Sequence, residues 1–252
     1  LLNRNVPVAE VDEAIELLPQ VASRENAALI VEAFQYRRST WFDSYDRSHR
    51  RISQLASIFE LAETVFDRSD LRLADMAIDL GDTYGRHGAL EQSEEYLRFA
   101  RLILDRADVR DPDELGWRLL MLGGAYIRFN DRLEADGLIK QARALRTSTD
   151  GPILVTRVTP VYPHECRDRK LQGEVTLGFS IDTRGRPHDP RVYDVVTWRG
   201  SREHPAQHEG CQEAMRHSAK EALLEFEYIP EFDFGRALAS EGMHTTISFG
   251  ME

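Results

Sequence analysis

The sequence predicts a stack of helical repeats followed by a small α+β domain, in which two helices cover one face of a three-stranded antiparallel sheet. Three observations support this fold class. Apolar residues keep helical spacing through residues 8–147, a pattern recurs in this region at an offset of 42 residues, and strand-like alternation begins only after residue 172. A polar segment ending in Gly151-Pro152 separates the two parts, so we predict domains over residues 1–148 and 149–252.

Charge and composition exclude several classes of function. The chain has 252 residues and a net charge of −11, which argues against nucleic acid and against an anionic membrane surface as partners. No apolar run is long enough to span a bilayer. The sequence contains no phosphate loop, dinucleotide fingerprint or nucleophile motif, so we expect neither an enzyme nor a cofactor. Because the chain begins at Leu1 without methionine, we expect a fragment or a processed form, compatible with a signal peptide or membrane anchor upstream.

The N-terminal part is predicted to be almost continuously helical. Between residues 8 and 147, proline occurs only at Pro19 and Pro112, where we expect a helix to break or begin. Apolar residues from Ile52 to Phe66 form a wide stripe with helical spacing, which indicates packing against neighbouring helices.

Two segments of this part repeat each other. Six positions of one segment match six of the next at the same offset: Ala77, Leu80, Gly81, Tyr84, Leu97 and Ala100 correspond to Leu119, Leu122, Gly123, Tyr126, Ile139 and Ala142. Each segment predicts a helix, a short turn and a second helix, with glycine where the two helices approach closely. We expect residues 24–68 to add another helix pair. Helical hairpins without a repeat relationship are the alternative.

The repeated pattern resembles the tetratricopeptide repeat, which carries Leu-Gly-x-x-Tyr in its first helix. The usual period of that family is about 34 residues, so a longer connection between the repeats is expected here. The resemblance implies a protein-interaction domain with a peptide-binding groove.

The C-terminal part predicts a sheet with helices. The predicted elements are a strand over residues 175–181, a turn over 182–185, a strand over 191–198, a polar loop over 199–210, a helix over 211–226 and a strand over 245–249. A hairpin joins the first two strands and a helix leads to the third. For the sheet to be antiparallel throughout, the third strand must therefore lie beside the first, which leaves two open edges.

The predicted site is the edge formed by the third strand. An open edge accepts an extended peptide by main-chain hydrogen bonds, so we predict a peptide-binding edge at Thr245, Thr246, Ile247, Ser248 and Phe249. Ile247 and Phe249 should face the core, and Thr246 and Ser248 should face outward. Two alternatives stay open: pairing of the edge with a second copy in a homodimer, and coverage of the edge by Met251-Glu252 and residues 235–243.

A series of motifs in this part resembles the TonB C-terminal domain over about residues 153–252. The motif positions are Pro160, Tyr162, Pro163, Gly173, Glu174, Val175, Asp182, Gly185, Phe226, Tyr228, Pro230, Ile247 and Phe249. The resemblance implies a periplasmic domain tethered to the inner membrane, whose last strand pairs with a peptide of an outer-membrane transporter to transmit force. Here a helical domain stands in place of the Pro-rich spacer typical of that family.

The two cysteines leave three readings open. Cys166 and Cys211 each begin one of the two helices predicted on the same sheet face, so they are placed to form a disulfide. They are also compatible with free buried thiols. Together with His164, His204 and His208 they alternatively resemble a zinc-ligand set, with His204, His208 and Cys211 on one face if their segment is helical. A metal-binding protein or metalloenzyme is therefore the alternative to a non-enzymatic peptide-binding adaptor.

Overall fold

The computed structural model of the chain describes residues 8–43, 49–108, 111–129, 131–146 and 148–250. The chain divides into two compact units, Leu1–Ala142 and Arg143–Glu252. The predicted fold class is confirmed, because the first part is helical and the second contains a small antiparallel sheet.

The N-terminal part consists of helices that follow one another through short connections. Their bounds are α1 Val8–Val21, α2 Ala27–Asp43, α3 His49–Val65, α4 Leu71–Arg86, α5 Leu90–Leu104, α6 Pro112–Arg128 and α7 Arg132–Leu145. In the part of the chain that the structure describes, none of the helices is both long and apolar enough to cross a membrane.

Local sequence explains where several helices begin and end. The Asp70 side chain accepts a hydrogen bond from the backbone N–H of Arg72 and caps α4. Asp111 caps α6 in the same way, and Pro112 occupies the first turn, where its missing N–H has no helical partner to lose. The helix break expected at Pro19 does not occur there, because Pro19 lies inside α1, which continues for two more residues to Val21.

The repeat is visible as equivalent contacts within two helix pairs. A Cβ atom added to Gly81 of α4 would lie 2.6 Å from Leu97 Cδ2 of α5, and one added to Gly123 of α6 would lie 3.1 Å from Ile139 Cγ1 of α7. Leu97 and Ile139 are themselves 42 positions apart. The predicted close helix contacts at both glycines are confirmed, and α2 with α3 forms the further helix pair expected over residues 24–68.

We expect Gly81→Leu to destabilise the helical unit by about 1–3 kcal/mol, because the new side chain overlaps Leu97 and approaches the carbonyl oxygen of Ser93. Gly137 is the matched control, since it lies in α7 with no atom within 4 Å of an added Cβ. Gly137→Ala should stabilise the protein by up to about 1 kcal/mol through helix propensity alone. Urea unfolding of both variants measures the contrast, and equal stabilities would contradict the assigned contact.

The second unit contains a central sheet with shorter strands around it. Its elements are β1 Ile153–Thr156, α8 His164–Arg167, β2 Leu171–Ile181, β3 Pro187–Arg199, α9 Glu209–Leu224, β4 Glu227–Ile229, β5 Phe232–Asp233, β6 Arg236–Ala237 and β7 Ser240–Phe249. The central sheet has the predicted antiparallel order β3-β2-β7. Two short ladders, β1 with β4 and β5 with β6, were not predicted.

The last two strands of the sheet are longer than the sequence suggested. β3 begins at Pro187, and β7 begins at Ser240 because a bulge at Gly242 lets the chain keep pairing with Ile181. Gly242 has a φ of 69°, the left-handed conformation that one type of bulge places on a glycine.

The core of this unit lies between the sheet and its two helices. Val175, Leu177 and Ile181 of β2 are fully buried, as their alternation predicted. Cys166 of α8 and Cys211 of α9 are joined by a disulfide with an S–S distance of 2.09 Å, and both residues are buried. The disulfide reading of the two cysteines is therefore the one that the structure contains.

Candidate functional site

The predicted edge strand is anchored to the sheet through its inward side chains. Ile247 pairs with Val175 and Phe249 pairs with Gly173, and only 1% and 2% of Ile247 and Phe249 remain exposed. Thr246 and Ser248 lie on the opposite side and are exposed. The inward and outward faces of this strand are those that alternation predicted.

One hydrogen bond reveals which main-chain groups of β7 face away from the sheet. Arg157 Nη2 donates to the carbonyl oxygen of Thr246 at 2.8 Å. In an antiparallel strand, alternate residues direct both their N–H and C=O toward the same neighbour. The main-chain groups of His244, Thr246 and Ser248 therefore point outward, while those of the residues between them bond to β2.

Arg157 is an exposed residue at this edge, and sequence reasoning did not identify it. Its guanidinium lies 6.0 Å from the centre of the Phe226 ring. Burial raises the pKa of the neighbouring Tyr228 hydroxyl, and the charge of Arg157 opposes that shift. The guanidinium binds one acceptor of the edge, the Thr246 carbonyl oxygen, but it adds no strand beside β7.

The opposite edge of the sheet, formed by β3, is covered at its end by the loop that follows. The N–H of Ala206 donates to the Thr197 carbonyl at 2.9 Å, and the N–H of Arg199 donates to the His204 carbonyl at 3.2 Å. The side chain of Asp194 accepts from the N–H of Val195. The start of β3 contains two prolines, which provide no N–H groups. As expected, β3 and β7 are the two outer strands of the described sheet, and neither has a further strand beyond it, but the loop after β3 folds back over the end of that strand.

The segment proposed to cover β7 does not lie across it. Residues 240–243 belong to β7 itself, and residues 236–237 pair with β5. Met251 and Glu252 lie outside the described residues. Among the described strands, β7 has β2 as its neighbour and no strand on its outer side.

Beside this edge, the sheet face opposite the helices carries an aromatic contact. The rings of Tyr193 and His244 are 5.1 Å apart, centre to centre. The Tyr193 ring lies directly over Gly178, where an added Cβ would be 2.2 Å from its Cε2 atom. Glycine at this position lets an aromatic side chain of β3 cross β2 to reach β7.

Tyr162, a position of the predicted motif series, contacts the same strand from the helix side. The Tyr162 hydroxyl donates to the carbonyl of Leu171, and its ring centre lies 6.4 Å from that of Phe249. Burial raises the pKa of this hydroxyl. Pro163 occupies the residue before α8, and Pro160 lies half-buried in the segment leading to it.

Gly173 is required because helix α9 crosses the sheet there. A Cβ at this position would lie 2.7 Å from Met215 Sδ and 2.8 Å from the Val196 carbonyl oxygen. The glycine therefore lets α9 and the sheet approach each other closely.

The proposed set of five metal ligands does not come together as one site. The disulfide removes the two thiolates, and the segment carrying His204 and His208 is not helical, because α9 begins only at Glu209. His208 instead caps α9 by accepting from the N–H of Cys211. Among the described residues, no group of three or more His, Cys, Asp or Glu side chains is arranged to hold a metal ion.

His164 and His208 share a surface depression. It lies beside the disulfide, and its lining residues are His164, Glu165, Asp168, Arg169 and His208. His164 pairs with the neighbouring Glu165 at 2.9 Å. Charged and polar side chains therefore dominate this depression.

In the helical unit, one face of α4 carries aspartates that pair with arginines of the helices on either side. Asp75 pairs with Arg118 of α6 at 2.7 Å, and Asp79 pairs with Arg38 of α2 at 2.5 Å. Asp82 pairs with Arg128 of α6. Burial raises the pKa of Asp79 to about 6, while Arg38 opposes this shift. The helical spacing of these aspartates was readable in the sequence, but their partners were not.

Comparison with known proteins adds no assignment: no protein family matches the chain, and no curated protein matches it either.

Proposed function

We propose that the chain is a non-enzymatic adaptor that binds an extended peptide of a partner protein along β7. The observation that carries this proposal is the direction of the main-chain N–H and C=O groups of His244, Thr246 and Ser248, which point away from β2. Among the described residues, Arg157 supplies the only hydrogen bond found at that edge. Main-chain pairing with an added strand would satisfy these groups.

The choice of β7 over β3 rests on the difference between the two edges. At the end of β3, main-chain groups already form hydrogen bonds with Ala206 and His204 of the following loop. At its start, two prolines lack the N–H groups that an added strand would need. On β7 the outward side chains at Thr246 and Ser248 are small. A second backbone can therefore approach within the usual distance between neighbouring strands, roughly 4.8 Å.

The resemblance to the TonB C-terminal domain suggests the setting. We propose a periplasmic protein, with the partner peptide belonging to an outer-membrane transporter or another envelope protein. The disulfide is compatible with an oxidising compartment. Energy transduction would need an anchor to the inner membrane. A scaffolding role, in which the helical repeats hold a second protein, requires no such anchor.

We expect Thr246→Pro and Ser248→Pro to weaken peptide binding at least tenfold, about 1.4 kcal/mol. Each proline removes an outward N–H and places a ring where the incoming strand would lie. The binding partners are an array of synthetic peptides that cover the periplasm-facing segments of outer-membrane transporters. Fluorescence anisotropy with the full chain measures the affinities.

Thr246→Ala and Ser248→Ala are the controls, since they keep the N–H groups and should bind like the parent. Arg157→Ala should bind uncharged extended peptides more tightly, because the guanidinium no longer competes for the Thr246 carbonyl. Amide exchange in a verified monomer provides an independent measurement. If residues 244, 246 and 248 exchange as slowly as residues 245, 247 and 249, the edge is occupied and the proposed function fails.

A further inference from the structure

Helix α9 is capped at its first turn by a histidine. The half-buried His208 immediately precedes α9, and its Nδ1 atom accepts a hydrogen bond from the N–H of Cys211 at 3.2 Å. The residues that usually cap a helix in this way are Ser, Thr, Asp and Asn, whose oxygen atoms remain acceptors in mildly acidic solution. Histidine differs from them, because its ring changes charge between about pH 5 and pH 8.

The cap requires one protonation state of the ring. A neutral imidazole accepts through Nδ1 only when its proton is on Nε2. When the ring gains a second proton, Nδ1 becomes a donor and faces the N–H of Cys211 without a hydrogen bond. The new positive charge also lies at the positive end of the helix dipole, where it is unfavourable. The cap is therefore present at neutral and higher pH, and it is lost as the pH falls through the range in which histidine protonates.

The charges around His208 come from α8, from the residues after it and from α9 itself. The charged and titratable groups that share the depression with His208 or follow it in the chain are His164, Glu165, Asp168, Arg169 and Glu209. On the sheet side, the neighbouring contact is the hydrogen bond from Gln212 to Thr197, and neither of these side chains titrates. Three carboxylates of this set are counter-ions for a protonated ring. What protonation removes is the hydrogen bond at the helix start.

The first turn of α9 also contains one half of the disulfide. Cys211, whose N–H is capped, is bonded to Cys166, and both residues are completely buried. A reductant reaches a buried sulfur atom only when the structure around it opens locally. Loss of the cap lowers the free energy needed to open this turn, so the disulfide becomes accessible for a larger fraction of the time.

We propose that His208 is a pH-sensitive cap, which keeps the disulfide closed to reductants at neutral pH and opens the first turn of α9 to them in mildly acidic solution. This device does not depend on peptide binding at β7. Removing a helix cap of this kind should change the opening equilibrium about tenfold, which corresponds to about 1.4 kcal/mol.

The test measures how fast the disulfide of the full chain is reduced at about pH 8 and at about pH 5. The probe is tris(2-carboxyethyl)phosphine, which is oxidised to its oxide with oxygen from water while the disulfide is reduced to two thiols. EDTA is present, so that bound metal ions do not contribute. Reversed-phase chromatography of acid-quenched samples gives the reduced fraction.

Three variants are compared with the parent. His208→Asn keeps a cap that does not titrate, His208→Ala has no cap at either pH, and His164→Asn removes the other histidine of the depression. We expect the parent to be reduced as slowly as His208→Asn at the higher pH and as fast as His208→Ala at the lower pH. The ratio of the parent rate to the His208→Asn rate should therefore rise about tenfold on acidification. His164→Asn should respond like the parent.

These ratios separate the cap from other effects of acid. The pH dependence of the phosphine cancels, and so does that of Asp79 in the helical unit, whose pKa burial raises to about 6, because every variant contains it. A ratio that stays constant with pH would overturn the proposal. Equal rates for His208→Asn and His208→Ala at the higher pH would overturn it too, as would loss of the pH response in His164→Asn.

Amide exchange gives a second measurement on the folded, oxidised protein and does not require the His208→Ala variant. At the lower pH, the Cys211 N–H should exchange about tenfold faster in the parent than in His208→Asn, and at the higher pH the two should exchange alike. Equal protection of this N–H in the two proteins at the lower pH would show that the cap persists when the ring is protonated, and the proposal would fail.

Discussion

Gly185→Ala is expected to unfold the second unit, with a loss of more than about 4 kcal/mol. A Cβ at this position would lie 1.8 Å from the carbonyl oxygen of Tyr228, which is backbone and has no rotamer with which to move away. The Gly185 carbonyl also accepts a hydrogen bond from the Tyr228 N–H at 3.0 Å. Any shift that relieves the overlap therefore breaks the contact that joins the β2–β3 turn to β4.

Gly200→Ala is the matched control for this prediction. Gly200 has a φ of 74°, close to the 81° of Gly185, but no atom lies within 4 Å of an added Cβ. The Gly200→Ala variant should therefore lose about 1–2 kcal/mol of unfolding free energy, which is the cost of placing alanine in the left-handed conformation. Trp198 lies in the second unit and reports its unfolding by fluorescence in urea. Similar losses in the two variants would show that strain at φ, and not the overlap with Tyr228, dominates at Gly185.

Removal of the disulfide should give the second largest effect. Cys166 and Cys211 are separated by 45 positions, and the chain-entropy estimate for a loop of that size is about 4 kcal/mol. We expect the double variant Cys166→Ala with Cys211→Ala to lose about 3–4 kcal/mol in urea unfolding, because its unfolded state is less restricted. Small cavities left by the two sulfur atoms would add to this loss.

The same pair provides an internal control. The parent protein in excess dithiothreitol should unfold at nearly the urea concentration of the double variant, whereas the double variant should not respond to the reductant. The helical unit contains neither cysteine, so its own transition should be unchanged. If the oxidised parent and the double variant unfold together, the crosslink does not restrict the unfolded chain.

Some features of this protein follow from short stretches of sequence. The close contacts at Gly81 and Gly123 were predictable, because a glycine inside an amphipathic helix at a repeated position marks where a neighbouring helix must approach. The inward positions of Ile247 and Phe249 followed from alternation along a strand. The disulfide between Cys166 and Cys211 could be predicted because each cysteine begins a helix on the same face of the sheet, although the sequence left a metal site open as an alternative.

Other features depend on residues that are far apart in the chain. Arg157 and Thr246 are 89 positions apart, and nothing in either segment indicates that a guanidinium reaches the strand edge. The ladder between β1 and β4 joins two very short segments, whose few residues carry too little alternation to identify a strand. The loop after β3 was predicted to be a polar connection, and its hydrogen bonds to the strand end form through the backbone, which residue types do not reveal.

The sequence by itself determined the helices of the first unit and the alternating core of the sheet, since both depend on the periodic placement of apolar side chains. The antiparallel order of the strands followed from a hairpin and the helix after it. Only the tertiary structure decided which parts of the two sheet edges are covered. That choice depends on main-chain groups, which every residue carries, and on whether another segment arrives to bond them.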